Sequence, residues 1–344
     1  MILPQHELED GRKQFQHMIA ILEIQDLHVS YRSSGGGLCP ALTSVSFGLM
    51  PGEIMGVLGE SGSGKSTLAG SLVRLLPANA RITRGAVQFE GTDLLRANAD
   101  ELRQIRGRRI SLIFQEPSLA LHPTMRVGEQ VRQVLAAHDS LGKSALNEQT
   151  RQVFDQVFPE EADRISHSYP HQLSGGQRQR VLIAQAIACG PSVVIADEPT
   201  ASLDPTTQME ILGVFRNLRE KLGLAMIFIT HNPALLCGFA DRVLVLYAGK
   251  VAECGPAETV LASPRHPYTK ALFHSIPTVF DRPGNTRKTK LPAILGDSAG
   301  SSLPIQGCPF EPRCTERMDT CKEREPTRVN LSASHTVSCF KYES

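Results

Sequence analysis

The stretch EIMGVLGESGSGKSTL, residues 53–68, joins an apolar run, a glycine-rich turn and the start of an amphipathic segment. The run IMGVL is typical of a buried strand, and Leu68, Leu72 and Leu75 follow at helical spacing. Between them GESGSGKST, Gly59–Thr67, matches G-x-x-x-x-G-K-[ST] in the strand-to-helix context that this phosphate-binding pattern requires. The stretch therefore predicts a P-loop within an α/β nucleotide-binding fold.

The residue types of this loop suit phosphate and magnesium. Glycines let successive backbone N–H groups point at phosphate oxygens, and the following helix N-terminus adds positive potential. Lys65 would bridge the β- and γ-phosphates, and Ser66 would ligate Mg²⁺. We expect the whole loop to bind nucleotide, that is Gly59, Glu60, Ser61, Gly62, Ser63, Gly64, Lys65, Ser66 and Thr67.

An acidic pair completes the predicted site. Asp197 and Glu198 follow the apolar run VVIA, at the carboxyl end of a predicted buried strand. Ligands of open α/β sheets gather at this edge, so Asp197 is expected to hold Mg²⁺. Glu198 can orient and deprotonate the attacking water, although capping of the next turn is the alternative reading of that carboxylate.

Two further polar residues end apolar runs. Gln115 follows ISLIF and His231 follows LAMIFIT, which places both at the exits of predicted strands, where they could sense the γ-phosphate. Alone, each would be an ordinary surface residue; their occurrence with the other motifs makes Gln115 and His231 catalytic candidates beside Glu198.

Strand and helix patterns alternate along the chain, which favours a mostly parallel sheet covered on both faces. Between residues 95 and 185 polar helical patterns dominate and predict a helical subdomain within an ATPase domain of residues 18–262. Proline, glycine and serine become frequent afterwards, so residues 263–344 are predicted to form a linker and a small extension. Residues 1–17 are predicted to be a disordered extension. The expected strands lie near residues 21–30, 42–48, 53–58, 192–196, 224–230 and 242–247.

Composition limits the function classes. Lys and Arg number 36 against 35 Asp and Glu among 344 residues, so there is no basic field to favour nucleic acid as the partner. The longest apolar runs, such as LGLAMIFIT, have about half the ~20 residues that a membrane-spanning helix needs. The N-terminus lacks the apolar region of a secretory signal, so we expect a cytoplasmic location.

Together the motifs resemble an ATP-binding cassette (ABC) ATPase over about residues 21–275. GESGSGKST resembles the Walker A loop, Gln115 the Q-loop glutamine, and VVIADEP the Walker B strand. LSGGQRQR (residues 173–180) resembles the signature motif, SLD (residues 202–204) the D-loop, and His231 the switch histidine. The resemblance implies a P-loop NTPase with a RecA-like core and with antiparallel β and helical subdomains.

The family also implies roles for residues without reactive groups. Ser174, Gly175 and Gly176 begin a helix and would bind the γ-phosphate held by the Walker A loop of an opposite subunit. Asp204 of the D-loop would lie at the same nucleotide, Tyr31 would stack on adenine, and Gln115 would join Ser66 and Asp197 at Mg²⁺.

Longer segments narrow the resemblance to the ATP-binding subunits of oligopeptide, dipeptide and nickel importers. These are IFQEPSLALHPTMRVGEQ, LYAGKVAECGP, PRHPYTKALFHSIP and the tail GCPFEPRC. That branch implies ATP-driven solute import, with peptide as the default solute and nickel or another small solute as alternatives. It implies a second homologous ATPase subunit, two permease subunits and an extracytoplasmic solute-binding protein, at the cytoplasmic face of the inner membrane. The rival is a soluble ABC ATPase acting on nucleic acid or ribosomes, which the single cassette and neutral charge disfavour.

Some positions depart from the family pattern. Asn232 replaces an aspartate after the switch histidine, residues 201–202 read Ala-Ser instead of Ser-Ala, and Ala120 and His122 replace Ser or Thr and Asn. The phosphate and metal groups are untouched, so an active ATPase is expected.

Four cysteines, Cys308, Cys314, Cys321 and Cys339, are separated by five, six and seventeen residues. The tight C-x₂₋₄-C pair of structural zinc sites is absent. Four thiolates suit a [4Fe–4S] cluster, which members of the resembled branch carry in this extension. Zinc and four reduced cysteines without metal are the alternatives, and the role expected in each case is structural.

Overall fold

This computed structural model of the chain describes residues 19–33, 35–116, 120–139, 141–275 and 306–343. The predicted N-terminal extension, residues 1–17, lies outside the described residues, as does most of the predicted linker after Ser263. Within the described parts, strands and helices alternate as the apolar patterns predict.

Two sheets contain the strands. In chain order they are β1 (Leu22–Arg32), β2 (Leu38–Leu49), β3 (Ile54–Leu58), β4 (Ala80–Phe89), β5 (Thr92–Asp93), β6 (Ile110–Ile113), β7 (Val193–Asp197), β8 (Ala225–Thr230), β9 (Arg242–Tyr247), β10 (Lys250–Pro256), β11 (Val329–Ser332) and β12 (His335–Val337).

The smaller sheet is antiparallel, with the order β2-β1-β4-β5. The larger sheet has the order β11-β12-β10-β9-β3-β8-β7-β6. Its strands from β9 to β6 run parallel, and β10, β11 and β12 extend it antiparallel. Because parallel strands end at one edge, the residues that follow β3, β8, β7 and β6 are brought to the same side of the sheet.

Helices connect and cover these strands. They are α1 (Lys65–Leu72), α2 (Ala99–Ile105), α3 (Val127–His138), α4 (Lys143–Val157), α5 (Ala162–Ser166), α6 (Gly175–Ile187), α7 (Pro205–Leu222), α8 (Ala257–Ala262), α9 (Pro267–His274) and α10 (Thr320–Glu323). Short 3₁₀ turns cover Pro170–Gln172, Pro233–Leu236, Glu311–Arg313 and Phe340–Tyr342.

Strand β8 explains why the central strands are apolar throughout. Met226 and Phe228 join a core formed with the helices, including Phe154 and Phe215. Ile227 points the other way, into a second core shared with the antiparallel sheet and α1. Both faces are therefore buried, which confirms the predicted covered parallel sheet.

The elements can be compared with the sequence-based expectations. Strand β6 coincides with the apolar run ISLIF, inside the otherwise helical range of residues 95–185, and it pairs with β7 in the central sheet. Helix α1 ends at Leu72, so Leu75, expected on this helix, is outside it and 47% exposed. The extension adds to the larger sheet, because β12 pairs with β10 through Glu253 and Val337.

Candidate nucleotide-hydrolysis site

The P-loop joins the end of β3 to α1, as the sequence predicts. Gly64 is the residue before the helix, and its φ of 104° lies in the left-handed region that favours glycine. A Cβ at this position would lie 2.8 Å from the Ala41 carbonyl oxygen. Glycine is thus required here both by the backbone conformation and by the close neighbour.

Lys65 is buried under the loop. Its Nζ donates hydrogen bonds to the carbonyl oxygens of Gly59 (2.8 Å) and Glu60 (2.9 Å), and it lies 3.8 Å from Oε1 of Glu198. Burial lowers the pKa of Lys65, and the carboxylates of Glu198 and Asp197 oppose that shift. A buried cation held by two carbonyl oxygens is suited to meet the charge of a bound phosphate.

The loop leaves backbone donors for an anion. Within the described residues, the N–H groups of Gly64, Lys65 and Ser66 have no hydrogen-bond acceptor. These groups belong to the first turn of α1, where a helix normally lacks internal acceptors. The start of α1 can therefore bind phosphate oxygens.

Other residues of the loop are placed differently. Ser61 and Gly62 are exposed at its tip, whereas the Ser63 hydroxyl is buried and without a partner among the described residues. The Glu60 N–H, expected to face phosphate, donates instead to the Tyr268 hydroxyl at 2.8 Å. The Thr67 hydroxyl lies 3.0 Å from the hydroxyl of Tyr31, so the aromatic residue expected at adenine lies beside the loop.

Asp197 fits a magnesium ligand. Its Oδ1 atom is buried and lacks a hydrogen-bond partner among the described residues. Burial raises the pKa of Asp197, against a hydrogen bond from the Ser66 side chain that lowers it. A buried carboxylate oxygen without a partner, beside a serine hydroxyl, offers Mg²⁺ the oxygen ligands that it prefers.

The other predicted catalytic residues, Gln115 and His231, both contact Glu198. Its Oε2 accepts a hydrogen bond from Nε2 of Gln115 (3.3 Å) and lies 3.2 Å from Nδ1 of His231. The backbone of Glu198 has a φ of +46°, and its N–H donates to the Ile229 carbonyl oxygen in β8. The Glu198 side chain is 16% exposed, and Lys65 lies near it in addition to Gln115 and His231. Residues that follow β3, β6 and β8 thus converge on the carboxylate that follows β7.

The signature motif begins α6. Ser174 is the N-cap, and its hydroxyl accepts a hydrogen bond from the N–H of Gln177 at 3.2 Å. A Cβ on Gly176 would lie 2.5 Å from Cγ2 of Thr207, and Gly175 packs near Leu203. The motif therefore packs against the D-loop and the start of α7.

Asp204 is the N-cap of α7, and its Oδ1 accepts a hydrogen bond from the N–H of Thr207 at 3.0 Å. Hydrogen bonds from Thr207 lower the pKa of Asp204. In the described parts of the chain, no hydrogen bond joins Asp204 or residues 174–176 to the P-loop. The structure thus brings together the Walker, Q-loop and switch residues, and leaves the signature and D-loop residues apart from them.

Asn232, which departs from the family pattern, also has a capping role. Its side chain accepts a hydrogen bond from the N–H of Ala234 at 3.0 Å, and its own N–H donates to the Thr230 hydroxyl. The first bond needs a side-chain oxygen, which asparagine and aspartate both carry, so this substitution keeps the local turn after His231.

The four cysteines of the extension line one small cavity, Cys308, Cys314, Cys321 and Cys339. Burial raises the pKa of Cys308 to about 11, and burial also raises the pKa of Cys314 and of Cys339. All four are free thiols, and no group of metal-ligating side chains within the described residues is arranged to hold a metal ion. The structure therefore gives no support to the expected iron–sulfur cluster beyond the shared cavity.

No sequence pattern indicates the residues that hold the P-loop from outside. Arg313 in the extension donates to both carboxylate oxygens of Glu60, at 2.7 and 3.1 Å. Tyr268, at the start of α9, accepts from the Glu60 N–H. These residues lie more than 200 positions from Glu60, and no local pattern signals such a contact.

A strand-to-helix P-loop, an acidic pair at the end of β7 and converging glutamine and histidine side chains define a P-loop ATPase of the ABC class. Family profiles agree: "ABC transporter" matches residues 42–201, and "Oligopeptide/dipeptide transporter, C-terminal region" matches residues 252–321. The chain belongs to the ABC transporter ATP-binding proteins that carry this C-terminal region, and it is an ATPase.

Relatives match along nearly the whole chain. "Dipeptide transport ATP-binding protein DppD" of Bacillus subtilis is 41% identical, covering 94% of this chain and 95% of that protein. "Oligopeptide transport ATP-binding protein OppD" of Escherichia coli is 39% identical, covering 95% and 94%.

Solved structures of ABC cassettes are similar to the ATPase part. The dimeric post-hydrolysis state of the cassette MJ0796, bound to ADP and Pi, has a TM-score of 0.61 at 28% identity, over 69% of this chain and 98% of that one. The transporter component cbiO1 from Clostridium perfringens has a TM-score of 0.62 at 27% identity, over 71% and 91%.

Proposed function

We propose that this chain hydrolyses ATP to energise the import of peptides through an ABC transporter. The observation that carries the proposal is similarity to dipeptide and oligopeptide transport ATP-binding proteins over more than 90% of the chain, including the C-terminal region. The intact constellation around Glu198 supplies the hydrolytic chemistry.

The phosphates of ATP would bind at the N-terminus of α1, where backbone N–H groups and the Lys65 ammonium would stabilise their negative charge. Ser66, Asp197 and Gln115 are the residues that would hold Mg²⁺, which supplies electrostatic stabilisation of the transferring phosphoryl group when bound. Tyr31 would stack on the adenine base.

Glu198 would orient the attacking water and accept its proton. Gln115 and His231 already contact the same carboxylate, so they can keep it aimed and can sense the γ-phosphate. Lys65, close to Glu198 in this structure, would turn toward phosphate oxygens once nucleotide is bound.

The active unit would be a pair of ATPase subunits. Ser174, Gly175, Gly176 and Asp204 have no hydrogen bond to the P-loop of their own chain within the described residues, which supports their use on the partner's nucleotide. We propose a homologous second subunit, so that the pair is a heterodimer. Closing and reopening of the pair would drive the transport cycle.

The membrane part would come from two permease subunits, with an extracytoplasmic protein delivering the solute. No helix in the described part of this chain is both long and apolar enough to cross a bilayer. The proposed place of work is the cytoplasmic face of the inner membrane, where the helical subdomain would contact the permease.

Purification and transport test the proposal together. The tagged chain, extracted from membranes in mild detergent, should co-purify with two multi-spanning proteins and a second ATPase subunit. Reconstituted with its binding protein, the complex should accumulate labelled di- and oligopeptides only with ATP, and the Glu198→Gln complex should not. Association with ribosomes or nucleic acid instead, or uptake of nickel but not peptide, would refute peptide import.

A finer proposal concerns the cysteine cavity. We propose that Cys308, Cys314, Cys321 and Cys339 bind an iron–sulfur cluster, as the sequence resemblance implies; the shared cavity supports this. Burial keeps thiols protonated, so any metal must displace their protons. Iron and acid-labile sulfide, assayed after anaerobic purification, should both be present; zinc alone, or neither, would refute the cluster.

A further inference from the structure

Glu60, the second residue of the P-loop, is held at each of its polar groups. Its carbonyl oxygen accepts from Lys65 at 2.9 Å, and its N–H donates to the Tyr268 hydroxyl at 2.8 Å. Its carboxylate accepts two hydrogen bonds from Arg313, at 2.7 and 3.1 Å. Two of the three anchors therefore come from residues beyond the ATPase domain predicted for residues 18–262.

The ion pair between Arg313 and Glu60 is a strong anchor. Its side chain is 8% exposed and that of Glu60 is 22% exposed, so water screens the pair weakly. A guanidinium that donates in parallel to two carboxylate oxygens fixes direction as well as distance. The carboxylate, and the loop that carries it, is thus held in one orientation.

An aromatic cluster keeps Arg313 and Tyr268 in place. The ring centroid of Tyr247, at the end of β9, lies 4.4 Å from the ring centroid of Tyr268 and 5.2 Å from that of Phe310. The Arg313 guanidinium lies 5.8 Å from the Tyr247 ring and donates to its hydroxyl at 3.3 Å. All three rings are buried, so the cluster joins the central sheet, α9 and the extension rigidly.

We propose that Arg313 is a positioning residue for the nucleotide site: it holds Glu60 and thereby fixes the P-loop before ATP binds. The cysteine-containing extension then contributes directly to ATP affinity, because Arg313 lies between Cys308 and Cys314 in the same small module. A loop that is already ordered loses less conformational entropy when it binds phosphate. This inference deepens the proposed function by assigning the extension a role at the ATP site.

The test is a double-mutant cycle on the full-length chain with Arg313→Met, Glu60→Gln and both together. The dissociation constant for MgATP is measured by equilibrium binding to the chain, and KM and kcat by phosphate release from the chain paired with the second ATPase subunit. Each single variant should raise the dissociation constant and KM about tenfold with little change in kcat, a size usual for coupling between sites. The double variant should be no worse than either single one, because both remove the same interaction.

Two variants separate positioning from mere stability. Arg317→Met is the matched control, since Arg317 lies in the same module, is 59% exposed and lies 3.9 Å from Glu311. It should leave KM unchanged. Arg313→Lys keeps the charge and loses the parallel donors, so its KM should lie between those of the native chain and Arg313→Met.

Three results would overturn the inference. The first is an unchanged MgATP affinity in both single variants, even with a lower melting temperature. The second is additive loss in the double variant. The third, should Arg313→Met fail to fold, is native affinity in both Arg313→Lys and Glu60→Gln. The measurement needs neither peptide nor permease, so failure of the import proposal would leave this result interpretable.

Discussion

The side chains of Glu198 and His231 meet through Nδ1 of the imidazole, which lies 3.2 Å from Oε2 of the carboxylate. The same oxygen accepts a hydrogen bond from Gln115 at 3.3 Å. Glu198 follows β7, His231 follows β8 and Gln115 lies just beyond β6, so neighbouring parallel strands deliver all three to one edge. The three side chains form one hydrogen-bonded unit rather than three independent groups.

Replacing the carboxylate should separate binding from hydrolysis. Glu198→Gln keeps the size of the side chain and one acceptor oxygen but removes the base. We expect MgATP binding to persist while kcat falls about 10²- to 10⁴-fold, the range for loss of a general base. Equilibrium binding and phosphate release measure the two effects. Near-normal hydrolysis would exclude Glu198 as the base.

Replacing the histidine should act through the same unit. His231→Ala removes the imidazole beside Glu198 and should lower kcat by about 10²-fold, a size usual for loss of one stabilising donor. Added to Glu198→Gln, it should cost little more, because residues that act together give non-additive losses. His167→Ala, at a 64% exposed histidine on α5's end, is the control. Strictly additive losses in the double variant would contradict a shared unit.

Ionised Asp197 should lower the stability of the magnesium-free fold, although turnover requires it. Burial raises the pKa of this carboxyl above its ordinary value of 3.8, so the folded chain holds the proton more tightly than the unfolded chain. At neutral pH the ionised group therefore weakens the magnesium-free fold, and this cost disappears as pH falls through the raised pKa toward 3.8. Asp197→Asn should raise the melting temperature in magnesium-free buffer at pH 7 while abolishing magnesium-dependent turnover.

The pH dependence provides the control for that prediction. The gain in melting temperature of Asp197→Asn over the native chain should shrink as pH falls toward the ordinary carboxyl range. A gain that stays constant with pH, or a variant that melts earlier at pH 7, would show that the ionised carboxylate is not a cost to the fold.

The signature serine should serve hydrolysis and not initial binding. Ser174→Ala removes a hydroxyl that caps α6, at a cost of about 1 kcal/mol, and removes the proposed ligand for the partner's γ-phosphate. ATP binding at Lys65 should be unchanged and turnover should fall. Asn98→Ala is the matched control, because Asn98 caps α2 in the same capping-box arrangement. Loss of initial nucleotide binding in Ser174→Ala would contradict the division between the two surfaces.

Most of the fold could be predicted because the central strands are buried on both faces. Strands such as β7 and β8 are continuous apolar runs, and periodicity alone marks them. Strand β12 could not be found in this way, since it has three residues and exists through its pairing with β10. Strand β6 is only four residues long and is surrounded by helical patterns, but the apolar run ISLIF still marks it.

The site, too, contains residues that could be predicted from the sequence and a contact that could not. The P-loop, Asp197, Glu198, Gln115 and His231 sit where strands end, and sheet topology then forces them together. The contact between Arg313 and Glu60 joins positions 253 residues apart, and it depends on how the extension packs. No local pattern links the two residues, because a glutamate in this loop and an arginine in a turn each have ordinary surface roles.

Glu253 should carry much of the attachment between the extension and the sheet. Its carboxylate is fully buried and accepts hydrogen bonds from the N–H groups of Arg265 and His266 and from Nε2 of His335, each at 2.9 Å. Glu253→Ala leaves three buried or part-buried donors without this acceptor, so we expect a loss of about 3–5 kcal/mol in the free energy of unfolding, measured with urea. Glu253→Gln, which keeps one acceptor oxygen, should lose less.

Glu325→Ala is the comparison, because Glu325 is 50% exposed and pairs with Lys250 at the surface, where such a pair contributes about 1 kcal/mol or less. Equal losses in Glu253→Ala and Glu325→Ala would mean that aromatic packing, and not this carboxylate, holds the extension in place.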